Sequence, residues 1–330
     1  MLWPVPNSSR AARCTRAFAR YLMSATLGAM TLGSGVAGCK VVDHPTEPHV
    51  PPPATATPTS WDEVLAAPVD VDVHAVVSAR WEAARGGLIN LKHPEAKKAE
   101  LRDGPVPIVL LVGIVEHPTA GDFIVDTGID TALANREPDG AVRGALARQG
   151  KNMEALEPLA NIIERLSLEL SGVLLTHSHI DHILGLPDVP EDVPVYIGPG
   201  ELDDRRKLNA LLRPTVGRLF EGLPPARELD PATALKLAPF DAAVDLLGDG
   251  SIWGLLLEGH TKGSVAWLVN ATDGPVLFVG DTSHTRWGWD NGVEPGKYTG
   301  NQELNATALE QLRTFVRQHP NTRVYVGHEL

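Results

Sequence analysis

The sequence predicts an α/β fold on three observations. Short apolar runs recur along the chain and end at Gly, Asp or His, as strands do where they hand over to functional loops. Between them lie segments with apolar residues at helical spacing, most clearly 153–170 and 302–318. The 330 residues are 43% hydrophobic and 21% charged, an ordinary globular composition with length enough to bury a large core.

The globular part is expected to begin near Trp61. Residues 69–77 alternate well enough for a strand, 106–115 form a second, and 121–128 a third ending in an Asp126, Thr127, Gly128 turn. Residues 153–170 place Met153, Leu156, Leu159, Ile162, Ile163, Leu166 and Leu170 on one helical face, and this helix feeds the apolar run 172–175. Beyond residue 183 the pattern is less regular. Residues 193–197 are strand-like, 201–212 are spaced as a helix, and many prolines and glycines predict loops covering a site. Residues 252–257, 265–269, 275–279 and 323–326 each read as a strand.

One stretch carries the chemistry. His177, His179, Asp181 and His182 fall within six positions, directly after an apolar run. At an extended strand end alternate residues point to the same side, so His177, His179 and Asp181 can converge while His182 faces a second point nearby. Imidazole and carboxylate are ligands of zinc and of other borderline divalent ions. The competing interpretation is a polar turn whose histidines only hydrogen-bond, and the density of ligand types favours metal. Three later strands end in His260, Asp281 and His328, each beside a glycine. Singly each would pass for a structural His or a turn Asp, but together they extend the set.

The formal charge of −12 leaves no basic surplus to neutralise phosphates, so nucleic acid is not an expected partner. Residues 1–38 hold Arg10, Arg13, Arg16 and Arg20, no acidic residue, and then an apolar small-residue segment, the layout of a secretory signal. Val36, Ala37, Gly38 and Cys39 resemble the lipobox of bacterial lipoproteins, in which Cys39 would become the lipidated first residue. The segment is Gly-rich and barely long enough to span a bilayer, which disfavours a retained helix. Lys40 is not the Asp that often signals inner-membrane retention. The expected place is therefore the bacterial cell envelope, lipid-anchored to the outer membrane and facing the periplasm. Loss of the four arginines would take the charge from −12 to −16 and leave Cys39 as the only cysteine, so no intramolecular disulfide is expected. Residues 39–60, with prolines at 45, 48, 51, 52, 53 and 58, are expected to form an extended tether, and 61–330 the catalytic domain.

Taken in order, His-x-His-x-Asp-His (177–182), Gly-His-Thr-x-Gly-Ser (259–264), Gly-Asp-Thr (280–282) and Gly-His-Glu (327–329) resemble the metallo-β-lactamase-fold hydrolase superfamily, as does the turn at 125–128. The resemblance covers roughly residues 68–330. It implies an αββα sandwich, with two mixed β-sheets face to face, helices outside and metals at one edge. It implies that His177, His179 and His260 bind one metal, that Asp181, His182 and His328 bind a second, and that Asp281 bridges the two. Asp126 would hold a ligand in orientation from behind. Two zinc ions are the expected cofactor, with Fe, Mn or Co as alternatives. A water shared by two cations about 3.5–4 Å apart would become hydroxide near neutral pH, with Asp181 or Asp281 moving a proton to the leaving group.

Departures from the family pattern narrow the activity. Asp281 stands where many β-lactamases of this fold use Cys, so a β-lactam is not the first substrate. Two residues follow His328, so the helical domain of glyoxalase II-type thioesterases is not expected. Lys262 stands where many relatives have Pro and is expected to be solvated. Trp287 and Trp289 are candidates for a pocket wall. The layout is most similar to the lactonase-like branch that includes N-acyl homoserine lactonases, which implies opening of an ester or lactone of a small molecule. The alternatives are a mononuclear iron persulfide dioxygenase, a phosphodiesterase and a β-lactam hydrolase. A non-catalytic zinc protein would need only four closed ligands, and seven are present.

Overall fold

The computed structural model describes residues 39–330 apart from 55, 56, 207 and 208. The expected leader over 1–38 lies outside the described residues, and among those described no helix is long and apolar enough to cross a membrane. Two mixed sheets carry the architecture. The larger runs in the order Thr46–His49, Ala226–Leu229, Val195–Ile197, Leu170–Leu174, Gly121–Val125, Pro105–His117, Asp72–Ala84, Glu154–Ala155. It is parallel from Gly121–Val125 back to Thr46–His49 and antiparallel over the rest. The smaller runs Leu235–Leu237, Phe240–Asp245, Ile252–Leu256, Val265–Ala271, Gly274–Phe278, Arg323–Tyr325, and only its last pair is parallel. Helices cover the outer faces, so the expected αββα sandwich is the fold found.

The apolar runs are explained by burial on both faces of a strand. In Val265–Ala271, Val265, Trp267 and Val269 face the other sheet, while Ala266 and Leu268 face the outer layer around the helix Gln302–Gln318. In Gly121–Val125, Phe123 and Val125 point between the sheets and Ile124 points outward. Trp267 is fully buried and its indole N–H donates to the Leu175 carbonyl of the opposite sheet at 3.1 Å. An aromatic ring of that size removes on the order of 200 Å² from water, about 5 kcal/mol of gross transfer free energy. The two sheets are thus locked where their strand ends meet.

Three expectations are corrected. The helix expected over 153–170 is Leu159–Leu166. Pro158 caps its start in extended conformation and Ser167 ends it in the left-handed region at φ 56°, two local limits to which apolar spacing is blind. Glu154 and Ala155 instead pair with Arg80 and Ala79 as a sheet edge. The helix expected over 201–212 lies at Asn209–Leu219, because Glu201 is drawn into the interior. The tether expected over 39–60 is folded along its first half. Cys39–Lys40 pairs with Arg205–Arg206, and Thr46–His49 adds a parallel edge strand against Ala226–Leu229. Val41, Val42 and His49 are buried, and His49 Nε2 lies 3.0 Å from the Leu246 carbonyl. Proline is tolerated on an edge strand, which has N–H positions that need no partner.

Deletion of residues 39–49 is expected to lower Tm by roughly 6–12 °C. The deletion forgoes the burial of Val41 and Val42, about 3 kcal/mol in all, and each kcal/mol moves Tm by about 2–4 °C in a chain of this size class. Thermal melts of the two forms check this, and equal Tm values would mean that the segment is only loosely held.

A second prediction concerns pH. Asp130 caps the helix Thr131–Ala134 by accepting from the Leu133 N–H at 2.9 Å, and burial, with Asp188 nearby, pushes its carboxyl up to about 6. Raised above the ordinary value near 4, it binds protons more tightly folded than unfolded. Stability from this group is therefore present at low pH and lost as pH rises from about 4 to about 6. Asp130→Asn keeps a capping acceptor and removes the charge. Its Tm relative to the parent should rise between pH 4 and pH 7.5, and a pH-independent difference would refute the assignment.

Candidate metal centre

Five loops at the ends of strands from both sheets converge at one edge. Leu170–Leu174 leads into 176–182, Gly121–Val125 into Asp126, Ile252–Leu256 into 258–264, Gly274–Phe278 into Asp281, and Arg323–Tyr325 into His328. His177, His260, His182, His328 and Asp281 are all buried, while His179 and Asp181 are half-buried. Every ligand-type residue anticipated from sequence is brought together there. His177, His179, His260 and Asp281 form one group, and Asp181, His182 and His328 another.

The separations test whether these groups fit metal ions. Asp281 Oδ2 lies 3.6 Å from His177 Nε2, 3.4 Å from His182 Nε2 and 3.4 Å from His260 Nε2. His328 Nε2 lies 3.4 Å from Asp281 Oδ1 and 3.5 Å from Asp181 Oδ2. These gaps exceed the usual N–H···O range of about 2.7–3.2 Å. Two ligand atoms each about 2.05 Å from one tetrahedral ion stand roughly 3.3 Å apart. The His179 Nδ1 to His260 Nε2 distance is shorter, at 2.9 Å. His177 Nε2, His182 Nε2 and Asp281 Oδ1 are buried without a hydrogen-bond partner. Buried polar atoms are ordinarily paired, and a pair of divalent ions would satisfy these three. The donor set fits.

The outward nitrogens are fixed from behind. Asp126 Oδ2 lies 2.7 Å from His182 Nδ1, and Asp126 Oδ1 accepts the Thr176 N–H at 2.8 Å. Asp126 itself sits at φ 56°, a left-handed conformation that costs a non-glycine residue of order 1 kcal/mol. His328 Nδ1 lies 3.0 Å from the Val109 carbonyl, and His260 Nδ1 lies 3.1 Å from Thr299 Oγ1. The His328 backbone is tied to Val109 and His284 as well. Gly327 permits the closest approach, since a Cβ there would stand 2.2 Å from Asp281 Oδ1.

Burial opposes charge throughout this cluster. It pushes the His177 imidazole well below its ordinary value, reinforced by His182, His179 and His260. Burial acts on His182 in the same direction, but Asp281 and Asp126 outweigh it and hold that ring well above the ordinary value. His328 is raised against burial by Asp281 and Asp181. Burial would raise Asp281, yet His284, His328 and His182 hold it well below the ordinary carboxylate range. The centre is built around a buried anion that calls for positive charge beside it.

The structure adds His284, which the sequence motifs do not include. It is buried, its Nε2 lies 3.0 Å from Asp281 Oδ2, and it groups with Asp281 and His328 as a further possible ligand set. A lone histidine three residues after an aspartate carries no sequence signal of its own. A cavity of about 1240 Å³ opens over the cluster, floored by His179, Asp181, Asp281, His284 and His328. Trp81, Leu88, Ile108 and Leu212 supply apolar wall, with Arg148 and Lys297 also lining it. Trp287 and Trp289 are not among its lining residues, and Trp289 packs in the outer core instead. Lys262 is exposed and lies over Gly200, as expected for a solvated lysine.

Residues 102–328 match the sequence profile of the metallo-beta-lactamase superfamily. The chain belongs to the metallo-β-lactamase superfamily. Among its relatives, the probable metallo-hydrolase YqgX of Bacillus subtilis is 29% identical over 167 residues, covering 48% of this chain and 67% of that protein. The cytochrome P450 monooxygenase mpaDE of Penicillium brevicompactum is 31% identical over 131 residues, 36% of this chain but only 15% of that much longer protein. A crystal structure of an N-acyl homoserine lactone hydrolase, with product N-hexanoyl-L-homoserine at its catalytic metal center, superposes with TM-score 0.57. The alignment covers 80% of this chain and 94% of that one at 15% identity, a likeness of fold. Metallo-β-lactamase membership agrees with the His/Asp cluster, which is suited to divalent metal.

Asp126→Asn is expected to weaken metal binding roughly 10- to 100-fold by loosening His182, as other groups behind metal ligands do. Chelator competition on the purified protein measures it, and unchanged affinity would remove Asp126 from the centre.

Proposed function

We propose that this chain is a dinuclear metal hydrolase, with zinc the expected ion, that opens an ester or lactone bond of a small, partly apolar molecule. The observation that carries the reading is the convergence of seven ligand-type residues whose spacings fit two ions sharing Asp281. His177, His179 and His260 would hold one ion, Asp181, His182 and His328 the other. When bound, the two ions supply Lewis acidity to the scissile carbonyl and an activated water at neutral pH.

The residues around them divide the remaining work. Asp281 is 3% exposed at its side chain and enclosed by imidazoles, whereas Asp181 is 22% exposed on the cavity floor. Asp181 is therefore the carboxylate placed to take up the proton that the attacking water loses and to pass it to the departing alkoxide. Trp81, Leu88 and Ile108 offer an apolar wall for the acyl or alkyl part and keep water from that side. The product held by the lactone hydrolase of the same fold has this character, an acyl chain on a small polar head.

The leader pattern at 1–38 and Cys39 support placement in the bacterial envelope through a lipid anchor. Since residues 40–49 are packed onto the domain, such an anchor would hold the enzyme close to the bilayer.

The test is metal content of protein purified without tag metal, with His179→Ala alongside, followed by a panel of lactones, esters and phosphodiesters. The expected result is about two zinc per chain, reduced in the variant, and lactone or ester turnover that the variant loses. One iron per chain without such turnover would replace the reading with a persulfide dioxygenase. Turnover of phosphodiesters alone would move the substrate class.

A further inference from the structure

We propose that Glu201 is a positioning residue that sets metal affinity at the His177, His179 and His260 site, an inference resting on those histidines holding a metal. Glu201 follows the strand Val195–Ile197 and is fully buried. Its Oε1 accepts the Ser178 backbone N–H at 2.7 Å and the Ser178 O–H at 2.6 Å. Its Oε2 accepts the Thr261 O–H at 2.7 Å and the Gly263 N–H at 3.0 Å. Four donors therefore fill one carboxylate, an arrangement that a buried acceptor-only group requires.

The identity of those donors gives the contact its meaning. Ser178 stands between His177 and His179, and Thr261 directly follows His260. His179 and His260 are 81 residues apart in sequence, yet one carboxylate bonds to the residue next to each of them, through the Ser178 N–H and O–H and through the Thr261 O–H. Ser264 Oγ, 2.7 Å from Thr261 Oγ1 and accepting the Thr261 N–H at 2.9 Å, fixes the direction of the Thr261 hydroxyl. Gly263 is needed for the approach, since a Cβ there would stand 2.7 Å from the Glu201 Cβ. The polar residues interleaved with the histidines are thus the handles by which the two ligand loops are held in register.

A general stabilising role would act on the whole centre, whereas this one is one-sided. His182 and His328 are oriented through Asp126 and the Val109 carbonyl, neither of which bonds to Glu201. Loss of Glu201 should loosen one ion and spare the other.

The experiment titrates metal-free protein with Co²⁺ against a chelator and follows the cobalt absorption, for wild type, Glu201→Gln and Ser178→Ala. Gln keeps an acceptor for Ser178 but turns an N–H₂ donor toward the Gly263 N–H. One of the two binding steps should weaken roughly 10- to 100-fold in Glu201→Gln, with the other unchanged. Ser178→Ala removes one of the four bonds, should weaken the same step by less, and carries the test if Glu201→Gln does not fold. Two unchanged steps, or two steps weakened equally, would overturn the proposal while leaving the metal centre standing. A wild type that takes up no cobalt would overturn both.

Discussion

The carboxylate of Asp281 is buried among His177, His182, His260, His284 and His328, with closest N···O separations between 3.0 and 3.6 Å. An ionised carboxylate taken out of water costs several kcal/mol unless positive charge stands beside it. Two of these rings, His182 and His328, are pushed toward the charged form and His177 is pushed away from it, so protons alone meet the demand unevenly. Divalent metal would meet it, since it accepts lone pairs from neutral imidazole and from carboxylate alike. The rest of the centre is arranged around that anion. Gly327 makes room for it, strand ends of both sheets deliver its neighbours, and Asp126, the Val109 carbonyl and Thr299 hold the outward nitrogens.

Such an arrangement needs a scaffold that does not yield. The strands behind the ligands are buried on both faces, and Trp267 bridges the sheets just behind the His177 loop through Leu175. Ligands set on strand ends move less than ligands set on free loops. The strained backbone of Asp126 is kept in place by its own bonds to Thr176 and by its contact with His182. A local cost is maintained there because the packing around it over-determines the position.

Much of this is legible in the sequence, for a physical reason. Ligand chemistry is local, so His177, His179, Asp181 and His182 announce themselves, and the later strand-end residues join them by repetition of the same pattern. The features that are not legible depend on partners distant in the chain or on backbone conformation. Apolar spacing at 153–170 is helical on paper, but Pro158 and Ser167 set the true limits. Proline content at 45–58 suggests a tether, yet the receptor for the edge strand is supplied by Ala226–Leu229. Glu201 resembles the start of a helix because its partners, Ser178, Thr261 and Gly263, are visible only in three dimensions.

The cavity wall shows why substrate identity is the hardest thing to read from such a chain. The floor is made of motif residues together with His284, whereas one wall comes from Trp81 through Ala84, at the end of a thirteen-residue strand far from any motif. That strand changes register between Val77 and Ala79, so Ser78 is a bulge. Bulges bend a strand and re-aim its later residues, and they recur beside active sites. Here the bulged residue also bonds onward, with Ser78 Oγ accepting the Ile129 N–H at 3.0 Å and donating to the Glu157 carbonyl at 2.8 Å. The same residue therefore links the turn that orients His182 to the strand that walls the cavity. Chemistry at the floor and selectivity at the wall are joined through one backbone irregularity, and a change at Ser78 would be felt on both sides of it.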